Sequence, residues 1–95
     1  MFTTQKRKKL QSLYENYRDY VYWISYNVVH DEYDAEDIVQ NSFLKVGGML
    51  DYFEPDQEDK TKMLLSAITK NTAIDYYRKK QKHIEREGSS DPDII

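Results

Sequence analysis

Three segments of this chain repeat apolar residues at alternating steps of three and four, the spacing that places side chains on one face of an α-helix. They run from Leu10 to Val29, from Asp34 to about Phe53, and from Thr61 to about Glu85. Each segment predicts an amphipathic helix with one buried face. Because no segment alternates in the way typical of strands, we predict an all-α bundle of three to four helices.

The size and composition narrow the class of protein. Ninety-five residues, 39% of them apolar, make one small globular domain. The chain has no cysteine, which excludes a disulfide framework, a thiol nucleophile and a cysteine-based zinc site. No apolar run approaches the roughly 18 residues of a membrane span, and no apolar stretch follows the basic cluster Lys6 to Lys9. We therefore expect a soluble cytoplasmic protein with no membrane partner.

The first predicted helix is rich in tyrosine. Five of the nine tyrosines lie between Tyr14 and Tyr26. Tyrosine can pack its ring inside and keep its hydroxyl at the solvated rim, so this pattern favours a bundle core with wet edges over base stacking. An alternative is a small interaction module in which the tyrosine-rich stripe forms a dimer.

The second predicted helix begins with acids. Asp34 is a good N-cap, and Glu36 and Asp37 fall in the first turn, where the helix dipole favours negative charge. Its core stripe is unbroken across Gly47-Gly48, although two glycines cost a helix roughly 1.5–2 kcal/mol relative to alanine. We therefore expect this helix to continue to Leu50 or Phe53. The stripe consists of Val39, Phe43, Val46, Leu50 and Phe53.

The opposite face of the second helix presents Glu36, Asp37, Gln40 and Asn41. Carboxylates and amides on one helix side suit an arginine-rich partner helix through charge-assisted hydrogen bonds. Asp34, Glu36 and Asp37 could instead ligate magnesium, as in a helical hydrolase. Neither histidine has a metal-site spacing, and no glycine-rich phosphate loop is present, so we predict a binding protein with no catalytic residue, metal or cofactor.

The third predicted helix follows an acidic loop, residues 54–60, and is expected to be capped by Asp59 or Thr61. Its apolar side is predicted to consist of Met63, Leu64, Ala67, Ile68 and Ile74. From Thr61 to Lys82 it carries six lysines or arginines against one acid, a formal balance of +5 in a chain whose net charge is −3. Positive charge concentrated on one helix is typical of phosphate-backbone binding.

Polar side chains suited to base edges lie on the same helix. Asn and Arg pair bidentately with adenine and guanine, while Lys neutralises phosphate. The candidates are Lys70, Asn71, Asp75, Arg78 and Lys79. The same residues could instead form a local network, with an Asp75–Arg78 pair capped by Asn71. The residue pattern leaves both interpretations open.

Two stretches resemble region 2 of bacterial RNA polymerase sigma factors of the extracytoplasmic-function group. They read DAEDIVQNSFLKV, from Asp34 to Val46, and LLSAITKNTAIDYYRK, from Leu64 to Lys79. The resemblance covers about residues 10 to 85. It implies a transcription initiation factor domain that binds core RNA polymerase and recognises and melts the promoter minus-ten element.

The resemblance also implies site residues and partners. The AEDxxQxxF helix would dock on the clamp helices of the polymerase's largest subunit, so Glu36, Asp37, Gln40 and Asn41 would bind core polymerase. Promoter DNA would be contacted by the last helix, with residues 54–60 as the wall of a pocket for an extruded base. An anti-sigma factor is a further implied partner. The implied DNA-binding residues are Lys62, Lys70, Asn71, Asp75, Arg78 and Lys79.

The chain departs from the family pattern at several places. Leu64 stands where the family commonly has Trp, and Gly47-Gly48 interrupts a usually continuous helix. We expect residues 1–87 to form the region 2 domain and residues 88–95 to begin an interdomain linker, with the family's second DNA-binding domain absent. The sequence is compatible with a fragment of a two-domain factor or a one-domain protein.

Overall fold

The helices pack around a single core. The computed structural model describes residues 3–54 and 56–88, with side chains through Lys82. It contains α1 (Thr4–Val29), α2 (Glu32–Gly47), a short 3-10 turn (Leu50–Tyr52) and α3 (Glu58–Gly88). The three helices contact one another pairwise, which confirms the all-α bundle. None of these described helices is both long and apolar enough to span a membrane. Most of the predicted linker lies outside the described residues.

The core residues come from all three helices and the 3-10 turn. The tyrosines of α1 line the rim of this core: Tyr17 and Tyr20 are half-buried, and the Tyr14 ring meets the Phe43 ring edge-on at 5.0 Å. These packed but partly solvated rings support the interpretation of a core with wet edges. The cluster consists of Leu13, Val21, Val39, Phe43, Val46, Leu50, Phe53 and Leu65.

The junction between α1 and α2 is tight and corrects the predicted cap. His30 adopts the left-handed conformation, with φ 53°, and its backbone N–H donates to the Tyr26 carbonyl at 2.7 Å. Asp31 then caps α2, accepting a hydrogen bond from the Asp34 backbone N–H at 2.9 Å. The prediction that Asp34 is the N-cap is therefore wrong. Since Asp34 lies inside the first turn, its carboxylate can reach α3.

The end of α2 also differs from the prediction, although its core stripe does not. The helix ends at Gly47, and Gly48 is its C-cap, so the expected continuation to Leu50 or Phe53 is wrong. Leu50 and Phe53 are nevertheless buried. A 3-10 turn has three residues per turn, which keeps positions 50 and 53 on the same side. A tighter turn thus replaces the last helical turn and keeps Leu50 and Phe53 buried.

The buried side of α3 is not the one that hydropathy predicts. Met63 is 69% exposed and Ile74 is 42% exposed, while Leu64 and Ile68 are only half-buried. Ala67 is exposed as well. The core side instead carries three threonines, of which Thr61 and Thr72 donate their hydroxyls to backbone carbonyls and can be buried for that reason. The buried residues are Thr61, Leu65, Thr69, Thr72 and Ala73.

Two of these threonines provide a matched test of stability. The Thr72 hydroxyl donates to the Ile68 carbonyl at 2.7 Å, whereas the Thr69 hydroxyl meets no hydrogen-bond partner among the described residues. Replacing Thr by Val keeps the shape and removes the hydroxyl. We expect Thr69→Val to raise the free energy of unfolding by roughly 1 kcal/mol and Thr72→Val to lower it by about as much.

Thermal unfolding followed by circular dichroism measures this difference. For a domain of this size 1 kcal/mol corresponds to roughly 4–8 °C in Tm, with opposite signs for the two variants. Equal destabilisation by both would mean that the Thr69 hydroxyl is satisfied in solution.

Candidate functional site

The outward side of α2 gathers four predicted site residues. Asp37, Gln40 and Asn41 are exposed, and Glu36 is half-buried. Their spacing places them on one side of the helix, one turn apart. We call these four residues the α2 face. Because Asp31 provides the cap, Glu36 and Asp37 lie in the second turn and not in the first as predicted, so the helix dipole stabilises their charge less than expected.

Glu36 is held by α1. The Arg18 guanidinium donates through Nη2 to Glu36 Oε1 at 2.5 Å and through Nε to the Tyr14 hydroxyl at 3.0 Å. The hydrogen bond to Glu36 is the main cause that raises the pKa of Arg18 above its ordinary value. Glu36 thus connects α1 to α2, and part of its charge is already neutralised. Sequence reasoning missed Arg18 because nothing in the local pattern pairs residues on different helices.

Two further acids of α2, Asp34 and Asp37, are joined to α3. The Tyr76 hydroxyl lies 3.1 Å from Asp34 Oδ1 and 3.0 Å from Asp37 Oδ2, and Lys80 Nζ donates to Asp34 Oδ2 at 2.7 Å. We call these four residues the Tyr76 cluster. Burial, then the bonds to Asp37 and Asp34, raise the pKa of Tyr76. The bond to Asp34 raises the pKa of Lys80.

Large apolar side chains lie on the same side of α2 as the α2 face. Tyr33 is 85% exposed and Leu44 is 75% exposed. Tyr33, Asp37, Gln40 and Leu44 follow one another at helical steps, so the polar face has an apolar residue at each end. Sequence reasoning did not single out Tyr33 or Leu44. Their helical register with Asp37 was the signal that could have identified them.

The six predicted nucleic-acid residues all lie on α3, and we call this set the α3 face, although Lys62 is half-buried against α1. Asn71 and Arg78 are exposed and make no hydrogen bond or ion pair with a described side chain. Asp75 pairs with Lys79 at 3.2 Å, so the predicted local pair between Asp75 and Arg78 is not formed. The free polar groups are therefore available to another molecule. The α3 face comprises Lys62, Lys70, Asn71, Asp75, Arg78 and Lys79.

Two residues of the α3 face, Lys62 and Lys70, lie toward α1. Lys62 pairs with Glu58 at 3.2 Å and lies 5.6 Å from the centroid of the Tyr20 ring, and the bond to Glu58 raises the pKa of Lys62. Lys70 borders a groove of about 440 Å³ between α1 and α3. Lys62 is thus tied to its neighbours, whereas Lys70 opens onto the groove. The groove is lined by Tyr20, Ile24, Asn27, Val28, Ser66, Lys70 and Ile74.

The loop before α3 forms an open depression of about 630 Å³, lined by residues 56–60 and Met63. The helix begins at Glu58, so neither Asp59 nor Thr61 is its cap as predicted. Thr61 lies in the first turn and donates through its hydroxyl to the Glu54 carbonyl at 3.3 Å. This bond connects the start of α3 to the beginning of the loop.

With this geometry in place, comparison with known proteins identifies the fold. The family model Sigma-70 region 2 matches residues 13–83, which include both the α2 face and the α3 face. The chain belongs to the sigma-70 region 2 family. It is 32% identical over 71 residues to the protein named ECF RNA polymerase sigma factor SigX from Bacillus subtilis (strain 168). The match covers 75% of this chain and 36% of that relative, so the chain spans about a third of its length. No solved structure matches significantly.

Family membership confirms the resemblance seen in the sequence. Sigma factors are non-enzymatic transcription initiation factors, which places this region 2 domain among binding proteins.

The magnesium alternative has little structural support, because the Asp34 carboxylate is occupied by Tyr76 and Lys80. The described residues contain no group of three or more His, Cys, Asp or Glu side chains that could hold a metal ion.

The departures of the region 2 domain from the family pattern have structural counterparts. Leu64 is half-buried and packs against the core. At Gly47-Gly48, Gly47 ends α2 and Gly48 is the C-cap, and the 3-10 turn begins at Leu50. The dimer alternative stays a prediction, and its most exposed aromatic on α1 is Trp23, at 59%.

Proposed function

We propose that this region 2 domain binds core RNA polymerase through the α2 face and the non-template strand of the promoter minus-ten element through the α3 face. The domain would comprise residues 1–87, as the sequence predicts. The observation that carries the proposal is the separation of two chemically opposite surfaces on different helices of a sigma-70 region 2 chain.

The α2 face suits a basic protein partner. Asp37 makes no ion pair with a described side chain, and Gln40 and Asn41 are exposed amides. Such groups can form charge-assisted hydrogen bonds with arginines of the clamp helices of the largest polymerase subunit. Tyr33 and Leu44 at the ends of the face would add the apolar contacts that protein interfaces require.

The α3 face suits single-stranded DNA. Asn71 and Arg78 provide donors and acceptors for base edges, and Lys70 supplies charge for phosphate. An extruded base would enter the depression beside Met63. Unstacking a base costs a few kcal/mol, which contact with protein can offset. The acids at positions 56, 58 and 59 repel phosphate, so the backbone is expected to pass along the α3 face instead.

Electrophoretic co-migration with bacterial core RNA polymerase tests the first half of this proposal. We expect the chain to co-migrate with core enzyme and to be displaced by an excess of a complete sigma factor, because both would use the same clamp site. A chain that stays unbound, or that is not displaced, would contradict the assignment of the α2 face.

A further inference from the structure

We propose that Tyr76 is a positioning residue for polymerase binding, which fixes the Asp37 carboxylate for a basic side chain of the clamp. The inference rests on the proposed function of the α2 face. Tyr76 belongs to α3 and lies outside both predicted binding sets. Tyr76 would thus contribute to the polymerase-binding surface of this domain, although it belongs to the helix that carries the proposed DNA-binding residues.

The geometry of the hydroxyl supports this role. A tyrosine hydroxyl has one proton to donate, yet Tyr76 Oη lies within 3.1 Å of oxygens from two carboxylates, Asp34 and Asp37. The hydroxyl therefore lies between two carboxylates one helical turn apart on α2 and can donate its proton to either. Since it contacts Oδ2 of Asp37, the second oxygen of that exposed carboxylate is left for a partner. A carboxylate held by one oxygen loses less rotamer freedom when it binds.

The distribution of positive charge selects Asp37 among the neighbouring acids. Arg18 pairs with Glu36, and Lys80 pairs with Asp34, whose side chain is only 14% exposed. Among the described residues Asp37 forms a side-chain hydrogen bond with the neutral Tyr76 hydroxyl and no ion pair. Its carboxylate is thus oriented without a direct ion-pair partner. A guanidinium or ammonium group would complete this site by taking the free oxygen of Asp37.

A double-mutant cycle tests the inference with core polymerase and the full chain. Tyr76→Phe keeps the ring and removes only the hydroxyl, so we expect core affinity to fall roughly tenfold, the lower end of the range for a hydrogen bond to a charged group. Asp37→Asn should weaken binding as well. If Tyr76 acts through Asp37, adding Tyr76→Phe to Asp37→Asn should weaken binding less than twofold further.

Thr72→Val is the matched control for lost stability. It removes a buried hydroxyl from the same helix without touching the α2 face, so it should leave core affinity unchanged. Additive losses in the cycle, wild-type affinity for Tyr76→Phe, or an equal loss for Thr72→Val would each overturn the positioning role while the wild-type chain still binds. Failure of the wild-type chain to bind would overturn the proposed function and this inference together.

Discussion

Replacing Asp37 by Arg together with Gln40 by Ala is expected to weaken core polymerase binding by roughly a hundredfold or more, because like charges facing each other across an interface cost several kcal/mol. Asp37 is the acid of the α2 face without an ion-pair partner among the described residues. Its carboxylate is therefore the one expected to pair with a basic side chain of the clamp. Gln40→Ala removes a side-chain amide that can donate and accept hydrogen bonds. The measurement is a titration of labelled domain into core enzyme.

The fold should survive this double change. Both side chains are exposed, and the described contact that Asp37 loses is one hydrogen bond to Tyr76. Asp51→Arg with Gln5→Ala makes the same changes at exposed positions away from the α2 face and serves as the control. Circular dichroism should give the same helix content for both double variants. Equal affinity of the two variants for core enzyme would refute the assignment of the α2 face.

Replacing both Asn71 and Arg78 by Ala is expected to reduce promoter opening by roughly thirtyfold or more, since each base-contacting side chain contributes about 1–3 kcal/mol. Both side chains are exposed, and their loss removes no described contact, so the core and the α2 face stay intact. Binding to core polymerase should therefore remain at the wild-type level. This separation of two activities distinguishes a DNA-reading role from a structural one.

The promoter sequence cannot be derived from the amino-acid sequence, so the DNA probe must first be obtained by selection. Core enzyme with the wild-type domain would enrich a preferred sequence from duplexes with a randomised minus-ten segment. Permanganate reactivity of unpaired thymines in that sequence then reports opening. Gln5→Ala with Lys8→Ala removes an exposed amide and a cation from α1 and should leave opening unchanged. Parallel loss of opening and core binding in the Asn71 and Arg78 variant would indicate a structural role.

The burial of the α2 core stripe was predictable because it depends on the spacing of apolar residues within one helix. Val39, Phe43 and Val46 are apolar at helical spacing and are all buried. The exposed position of Asp37 and Gln40 followed from the same periodicity. The inward side of α3 was not predictable in this way, because hydropathy ranks Met63 and Ile74 above Thr69 and Thr72. A threonine that bonds its own helix backbone can be buried, and a methionine beside an open loop can stay exposed.

By itself the sequence determined the helical class, the core stripe of α2, the separation of acidic and basic segments, and the resemblance that family comparison confirmed. Each of these depends on residues close together along the chain. Only the tertiary structure decided which acid of the α2 face has no ion-pair partner among the described residues. The Arg18–Glu36 and Lys80–Asp34 pairs and the Tyr76 hydroxyl bonds join different helices, and the helical period of 3.6 residues carries no information about how separate helices meet.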